Sequence, residues 1–363
     1  MNSENKIELK LSVASSPHVC SPMDTTKLML NVILALIPAL CIAVYFFGPR
    51  ALTVTVVSVL GCEFFEWGYR KLLHKPSAVA DCSAPVTGIL LAFVCPVTIP
   101  YWMLLIGDFF AIVVVKQLFG GLGRNFMNPA LGGRAFLMLS YLSTMTKWAV
   151  PGTDNWAPIG AVGQDYIDAF TSATPLATMH PHLDVATGLT TLGLPEGTSL
   201  VDLFVGSVGG CLGEVSALLL LLGGVYLIWR GIIHARIPVS FIGTVAVLTF
   251  IFSRGQPHFE WMMYNLLSGG LFLGAFFMAT DYTTSPVTKK GEVIFGVGCG
   301  VLTVFIRYFG AYPEGVSYAI LIMNVCVWLI DKVGAPNRYG VTAEARKAAK
   351  EAKKAAKKEA GAQ

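Results

Sequence analysis

The chain has 363 residues, of which 54% are hydrophobic and 13% charged, with a formal net charge of +4. That balance lies outside the usual composition of soluble domains and excludes both an ordinary water-soluble enzyme and a nucleic-acid-binding module. What remains is an integral membrane protein.

Residues 1–26 are polar and read as a cytoplasmic N-terminal segment. They hold no cleavable signal, because the first apolar run is long enough to stay in the membrane as a span. Apolar runs of about 15 to 23 residues then recur, the lengths that about 30 Å of hydrocarbon demands of helices. Ten are expected, at 27–47, 51–70, 83–97, 101–119, 128–145, 210–229, 237–253, 264–280, 291–309 and 315–332. Lys and Arg set the orientation. With the N-terminus inside, cytoplasmic segments collect Lys6, Lys10, Lys27, Arg70, Lys71, Lys75, Lys116, Arg124, Arg230, Arg236, Lys289, Lys290 and the tail. The outer side receives only Arg50, Lys147, Arg254 and Arg307. Both termini are therefore expected in the cytoplasm, and the long segment 146–199 outside. The tail 333–363 is basic and Ala-rich, with eight Lys or Arg against three Glu from Arg338 onward, and reads as a solvated, partly helical segment.

Sliding the chain by 190 residues aligns Pro96-Val97-Thr98 with Pro286-Val287-Thr288 and Phe119-Gly120 with Phe309-Gly310. An offset of 183 aligns Leu90-Leu91-Ala92-Phe93 with Leu273-Gly274-Ala275-Phe276. Spans three and four are thus related to spans eight and nine. Five spans separate the copies, an odd number, so the halves are inverted. The expected fold is an all-α polytopic membrane protein of ten transmembrane helices in two inverted five-helix repeats, 27–145 and 200–332. Such repeats place a site near the midplane, where short, Gly-interrupted segments line a cavity. The two weakest runs, from Ser83 and from Leu266, fit that description; two thin but ordinary helices are the bland reading.

Eight cysteines (Cys20, Cys41, Cys62, Cys82, Cys95, Cys211, Cys299, Cys326) show no metal-ligand or cluster spacing, so no metal site is expected within the chain. Ionisable residues inside spans are costly in lipid and should face protein or water. They are Glu63, Glu66, Asp108, Arg134, Glu214 and Arg307. Glu66, Arg134 and Arg307 lie near span ends and can snorkel. Glu63 and Asp108 are candidates either for a structural interhelix contact or for an ion pathway.

The outer segment contains "DAFTSATPLAT", residues 168–178. Thr174 reads as a helix N-cap and Pro175 as the first helical residue. That accounts for Thr-Pro but not for the small, hydroxyl-rich residues before it. Together with "FGGLGRNFMNPA" from Phe119, "GEVSALLLLLGGVYL" from Gly213 and "GAFFMATDYTTSP" from Gly274, the stretch resembles a known family. This is the flavin-carrying membrane subunit shared by the Rnf complex, as its D subunit, and the sodium-pumping NADH:quinone reductase, as its B subunit. The likeness runs from Ser16 through Tyr312 to the last span. The short N-terminus and "ATPLA" favour the Rnf branch.

The resemblance implies that Thr174 is esterified by the phosphate of FMN, attached by a flavin transferase outside the cytoplasm, with Asp168 and Ser172 in the attachment motif. Thr171 and Ser172 are the competing acceptors. An exposed hydroxyl at a turn suits a second enzyme, and the phosphate would lie at the N-terminus of the helix starting at Pro175. It also implies a non-covalent riboflavin, for which Gly120, Gly121, Asn125, Asn128, Asp281, Thr283 and Thr284 are candidates; turn chemistry explains the same residues. The implied function is electron transfer in a bacterial cytoplasmic (inner) membrane complex that couples ferredoxin oxidation and NAD reduction to Na⁺ or H⁺ translocation. Implied partners are its other membrane and peripheral subunits, among them a covalent-flavin subunit outside and an NAD-reducing module inside. A cofactor-free channel or carrier for a small polar solute is the rival reading of the fold.

Overall fold

A computed structural model describes residues 23–75, 79–149, 151, 171–172, 174–179, 182–183, 190–191, 199–206, 208–310 and 314–334. Each of the ten apolar runs contains helix. The first half comprises α1 (Thr25–Phe47), α2 (Pro49–Leu72), α3 (Ser83–Phe93), α4 (Tyr101–Phe109, continued as a π-helix over Phe110–Gln117) and α5 (Pro129–Ser140), followed by the single turn α6 (Leu142–Met145). Short pairings join β1 (Trp148–Ala149) to β2 (Thr171–Ser172) and β3 (His182–Leu183) to β4 (Thr190–Thr191), both antiparallel. Between β2 and β3 lies the one-turn α7 (Pro175–Thr178), and α8 (Leu200–Val205) leads back to the bundle. The second half holds α9 (Ala217–Trp229), α10 (Arg236–Ile251), α11 (His258–Leu267), α12 (Leu271–Leu273, continued as a π-helix over Gly274–Met278), α13 (Lys289–Phe309) and α14 (Val316–Gly334).

Local sequence sets the helix limits. Asp24 Oδ1 accepts from Thr25 N at 2.8 Å to open α1, and Gly48, at φ 80°, closes it so that Pro49 can open α2. Asn128 caps α5 by accepting from Ala130 N and Leu131 N ahead of Pro129, and Thr288 caps α13. Among the described residues four helices, α1, α2, α13 and α14, are long and apolar enough to cross a membrane, or five spans if α11 and α12 are taken together. The chain is a multi-pass membrane protein.

The other runs are interrupted. Helix α3 stops at Phe93, four residues short of the expected span end, and the run from 210 becomes regular helix only at Ala217. The run 264–280 is two helices bent by 61° with the break at 268–270. Backbone exposed by such breaks must find partners inside protein. Arg50, wholly buried, donates to the carbonyls of Val97 and Ile99 at 2.8 and 3.0 Å. Leu212 N donates to Cys95 O. At the other break Arg307 donates to Asn265 O and Ser268 O at 2.5 and 3.1 Å. Arg307 is therefore no snorkelling residue, and it is 4% exposed.

Neighbour relations repeat in the two halves. Helix α2 packs on α3 and α4, and α10 packs on the π segment after α12 and on α13. Both α3 and α12 begin after a left-handed residue, Cys82 and Gly270. Across the middle, α1 meets α9 and α5 meets α14. The α10–α13 contact depends on Gly296 and Gly300, where a Cβ would come within 2.9 and 3.0 Å of the Ile237 and Phe241 carbonyls.

Candidate functional site

Two cavities hold the polar residues singled out in the sequence. The inner one has a cavity volume of about 80 Å³ within about 750 Å³ of non-atom space that is partly open to solvent. Its walls are mostly apolar, with Val86, Leu90, Phe276 and Phe277, and its polar groups include Ser83, Lys116, Asn125, Asn128, Asp281 and Thr283. Four expected riboflavin contacts thus come together there. Asn125 Nδ2 donates to Thr283 Oγ1 at 3.0 Å and to Met127 O at 3.1 Å, while its buried Oδ1 accepts from no described residue. Asn128 spends Oδ1 on the α5 cap and donates through Nδ2 to Met278 O.

Asp281 Oδ2 accepts from Thr283 Oγ1 and Thr284 Oγ1 at 3.0 and 3.3 Å. Burial raises its pKa above the usual aspartate value of 3.8, against the opposing pull of these threonines. Thr284 is buried behind Asp281 and does not line the cavity. Gly120 and Gly121, at φ 114° and 91°, belong to the turn after the π segment, where they face Arg124 and Arg70, and also do not line it.

Lys116 and Glu66 differ from expectation. Lys116 does not sit in a cytoplasmic loop and Glu66 does not snorkel: they are 2% and 1% exposed and pair at 3.0 Å. Lys116 also donates to Ser83 Oγ at 2.8 Å, and Gln117 donates to the second Glu66 oxygen at 2.7 Å. Helices α2 and α4 bring these groups face to face, so lipid never meets them. Glu63 is half-buried on α2 and makes no hydrogen bond or ion pair with the described residues. Asp108 is wholly buried between α2 and α4.

The outer cavity, with about 350 Å³ of empty space, is lined by Thr174, Leu176, Glu214, Ser268, Gly269 and Glu314 among others. Thr174 does cap α7: its Oγ1 accepts from Ala177 N at 3.1 Å. The hydroxyl is not exposed as expected, however, since Thr174 is only 4% accessible. Leu176 and Met179, each also 4% exposed, tuck against Trp261, Arg307 and Tyr308 and draw the threonine in with them. A four-residue helix has little macrodipole, so charge at Thr174 is governed by neighbouring side chains instead. Ser172 and Thr171 lie in β2, with only their backbone described, and Asp168 lies outside the described residues.

Those side chains form a cluster that the sequence reading did not assemble. Arg134 pairs with Glu314 and donates to Cys211 Sγ at 3.7 Å, and is itself 5% exposed, so it too does not snorkel. Ligand-type atoms of Cys211, Glu214 and Glu314 lie within 4.8 Å of one another. The Arg134 guanidinium supplies the positive charge such a set would otherwise draw from an ion. Arg307 stands beside Gly269, and its buried Nε has no partner among the described residues. The signal was present in the sequence: an arginine inside an apolar run demands a buried carboxylate, and Glu214, inside the run 210–229, and Glu314, just before the run 315–332, are acids toward the outer side.

The chain is similar to known membrane-complex subunits. The D subunit of the Na⁺-translocating ferredoxin:NAD⁺ oxidoreductase complex of Acetobacterium woodii is 46% identical over 338 residues, covering 92% of this chain and 97% of that one. The D subunit of the proton-translocating ferredoxin:NAD⁺ oxidoreductase complex of Clostridium ljungdahlii is 41% identical over 335 residues, covering 91% and 96%. The D subunit of an ion-translocating oxidoreductase complex of Stutzerimonas stutzeri is 37% identical, covering 88% and 93%. A family model described as NQR2, RnfD, RnfE matches residues 12–340, and the chain belongs to that family.

Proposed function

We propose that this chain is the flavin-carrying membrane subunit of an Rnf-type complex of the bacterial inner membrane, which couples ferredoxin oxidation and NAD reduction to translocation of Na⁺ or H⁺. The observation that carries the reading is the inner cavity, which gathers Asn125, Asn128, Asp281 and Thr283 around a buried polar atom lacking a partner among the described residues. At the inner cavity the free acceptor is Asn125 Oδ1, beside Asp281 and Thr283 and above an apolar floor. That combination suits riboflavin, a planar aromatic ring with N–H and hydroxyl donors. Beside the outer cavity, next to its lining residue Gly269, Arg307 has a buried Nε without a partner among the described residues, and its guanidinium is the charge that would face a phosphodiester on Thr174. The flavins would provide one-electron exchange; the protein fixes where they sit and at what potential.

Ten spans in two inverted halves are part of this reading, supported by the matching neighbour relations of α2–α5 and α10–α14 and by the α1–α9 and α5–α14 contacts. Both termini then face the cytoplasm and the Thr174 segment faces outward. There it meets the flavin transferase first and an external covalent-flavin subunit afterwards, while an NAD-reducing module docks inside. Because Thr174 is buried, we place flavin attachment before Leu176 and Met179 settle against the bundle.

The test is a cofactor inventory of the complex purified from its native host. No Lys or Arg lies between Lys147 and Arg230, so trypsin alone leaves the whole segment in one piece, and chymotrypsin should be used to isolate the Thr174 peptide. The expected result is the FMN mass on Thr174, its loss in Thr174→Val, and one released riboflavin that is retained in that variant. An unmodified Thr174 peptide from native material refutes the covalent assignment. Absence of both flavins refutes the reading altogether and leaves the cofactor-free channel or carrier.

A further inference from the structure

Asp108 sits near the end of the regular part of α4 and is 0% exposed. Its Oδ1 lies 2.6 Å from Ser58 Oγ and 3.3 Å from Cys62 Sγ, both on α2. Its Oδ2 has no partner among the described residues. Gly61 leaves the space for that oxygen, since a Cβ there would come within 2.8 Å of it. The charged and titratable groups on the elements packed against α4 are Arg50, Cys62, Glu63, Glu66, Tyr69, Arg70 and Lys71 of α2, Cys95 beyond α3, Lys116 of the π segment and Arg134 of α5. None of the cations among them forms an ion pair with Asp108: Lys116 is bound to Glu66, and Arg134 to Glu314.

A carboxylate in this position would be buried without a counter-charge, a state that protonation relieves. Ser58 makes the same point by hydrogen counting. Its Oγ is within bonding distance of two acceptors, Asp108 Oδ1 at 2.6 Å and the Gly88 carbonyl at 2.9 Å, yet a hydroxyl has one hydrogen. If Asp108 carries a proton, the acid donates to Ser58 and Ser58 donates to Gly88, and both contacts are satisfied.

The seam continues inward. Ser58, Cys62 and Glu66 follow one another at four-residue spacing on α2, facing Asp108 and Lys116. Lys116 and Ser83 in turn border the inner cavity. An apolar layer of Cys62, Ala84 and Ile112 lies between the acid and that pair, and the helix running past it is π rather than α, a form common where a helix must adjust.

We propose that Asp108 is a proton-binding site inside the bilayer: a neutral carboxylic acid on the α2–α4 seam that exchanges its proton with water in the inner cavity. Release leaves the carboxylate behind and delivers H⁺ to that water; no electron moves. The site does not depend on the flavin assignment.

Infrared spectroscopy of the assembled complex tests it. The expected signal is a carboxylic C=O band at neutral pH that shifts on transfer to D₂O. It should vanish in Asp108→Asn, persist in Glu66→Gln, and persist in Thr174→Val, so that failure of the flavin reading leaves this result untouched. Labelling of the wild-type complex by a hydrophobic carbodiimide, which attacks protonated carboxyls, should map to the Asp108 peptide whether or not the Asn variant folds. Absence of the band and of the label overturns the proposal. A band that never shifts in D₂O reveals a sealed structural acid and overturns exchange, and a band removed when NaCl replaces KCl at fixed pH makes the ligand Na⁺ and overturns proton binding.

Discussion

The Lys116–Glu66 pair allows a quantitative test of how this bundle is held together. Its side chains are 2% and 1% exposed, so neither charge has water to fall back on. Removing one partner of such a pair costs about 3–5 kcal/mol, because the other charge is left buried. In Lys116→Met, Glu66 keeps the Gln117 amide at 2.7 Å and has Arg70 Nε at 3.9 Å, which places the loss near the lower end. About 3 kcal/mol corresponds to roughly a 150-fold shift in the folding equilibrium. The double replacement Lys116→Met with Glu66→Gln removes both charges and should cost only about 0–1 kcal/mol, since a buried pair returns little beyond its own desolvation. The double variant is therefore expected to be more stable than either single one, with a coupling of about 5–6 kcal/mol when each single loss is near 3 kcal/mol. Equilibrium unfolding in mixed micelles, followed by helical ellipticity, measures all four corners of the cycle. Single losses below about 1 kcal/mol, or a double loss equal to their sum, would refute the buried-pair argument.

Two further outcomes follow from the cavities. In a chain with Thr174→Cys, a membrane-impermeant maleimide should react slowly, and adding Leu176→Ser and Met179→Ser should speed labelling at least about tenfold, as about 1.4 kcal/mol or more of docking energy is lost; equal rates would mean that the segment does not dock. Because burial raises the Asp281 pKa above 3.8, its neutral form favours the folded state: the contribution is complete below the unfolded value and fades as pH rises through the folded one. Melting curves should accordingly show wild type gaining on Asp281→Asn as pH falls toward 3.8, and a difference independent of pH would contradict the assignment.

How much of this was legible in the sequence depended on range. Signals acting over a few residues were readable: Gly48-Pro49 between two helices, Asn128-Pro129 at the start of α5, Thr174-Pro175 at α7, and apolar runs wherever helix is found. What escaped was the facing partner of each polar residue. Glu66 looked like a span-end group able to reach water because its ligands, Lys116 and Gln117, come from a helix about fifty residues later. Thr174 looked exposed because the two apolar side chains that carry it inward dock on α11 and α13, far along the chain. Periodicity reports which face of a helix is apolar, and is silent on which other helix meets the polar face.

The same limit explains why cations here are poor guides to depth. Lys116 and Arg50 each count as loop charges when orientation is read from the sequence, yet Lys116 neutralises Glu66 and Arg50 terminates the backbone broken after α3. Arg307 does for the break after α11 what Arg50 does for the other. A segment of unwound chain inside a bilayer needs donors for its orphan carbonyls, and a guanidinium offers five in a fixed plane. Two arginines placed at the two breaks let the half-helices end inside the protein. The carboxylates that gather around Arg134 then balance charge the fold had already brought inside.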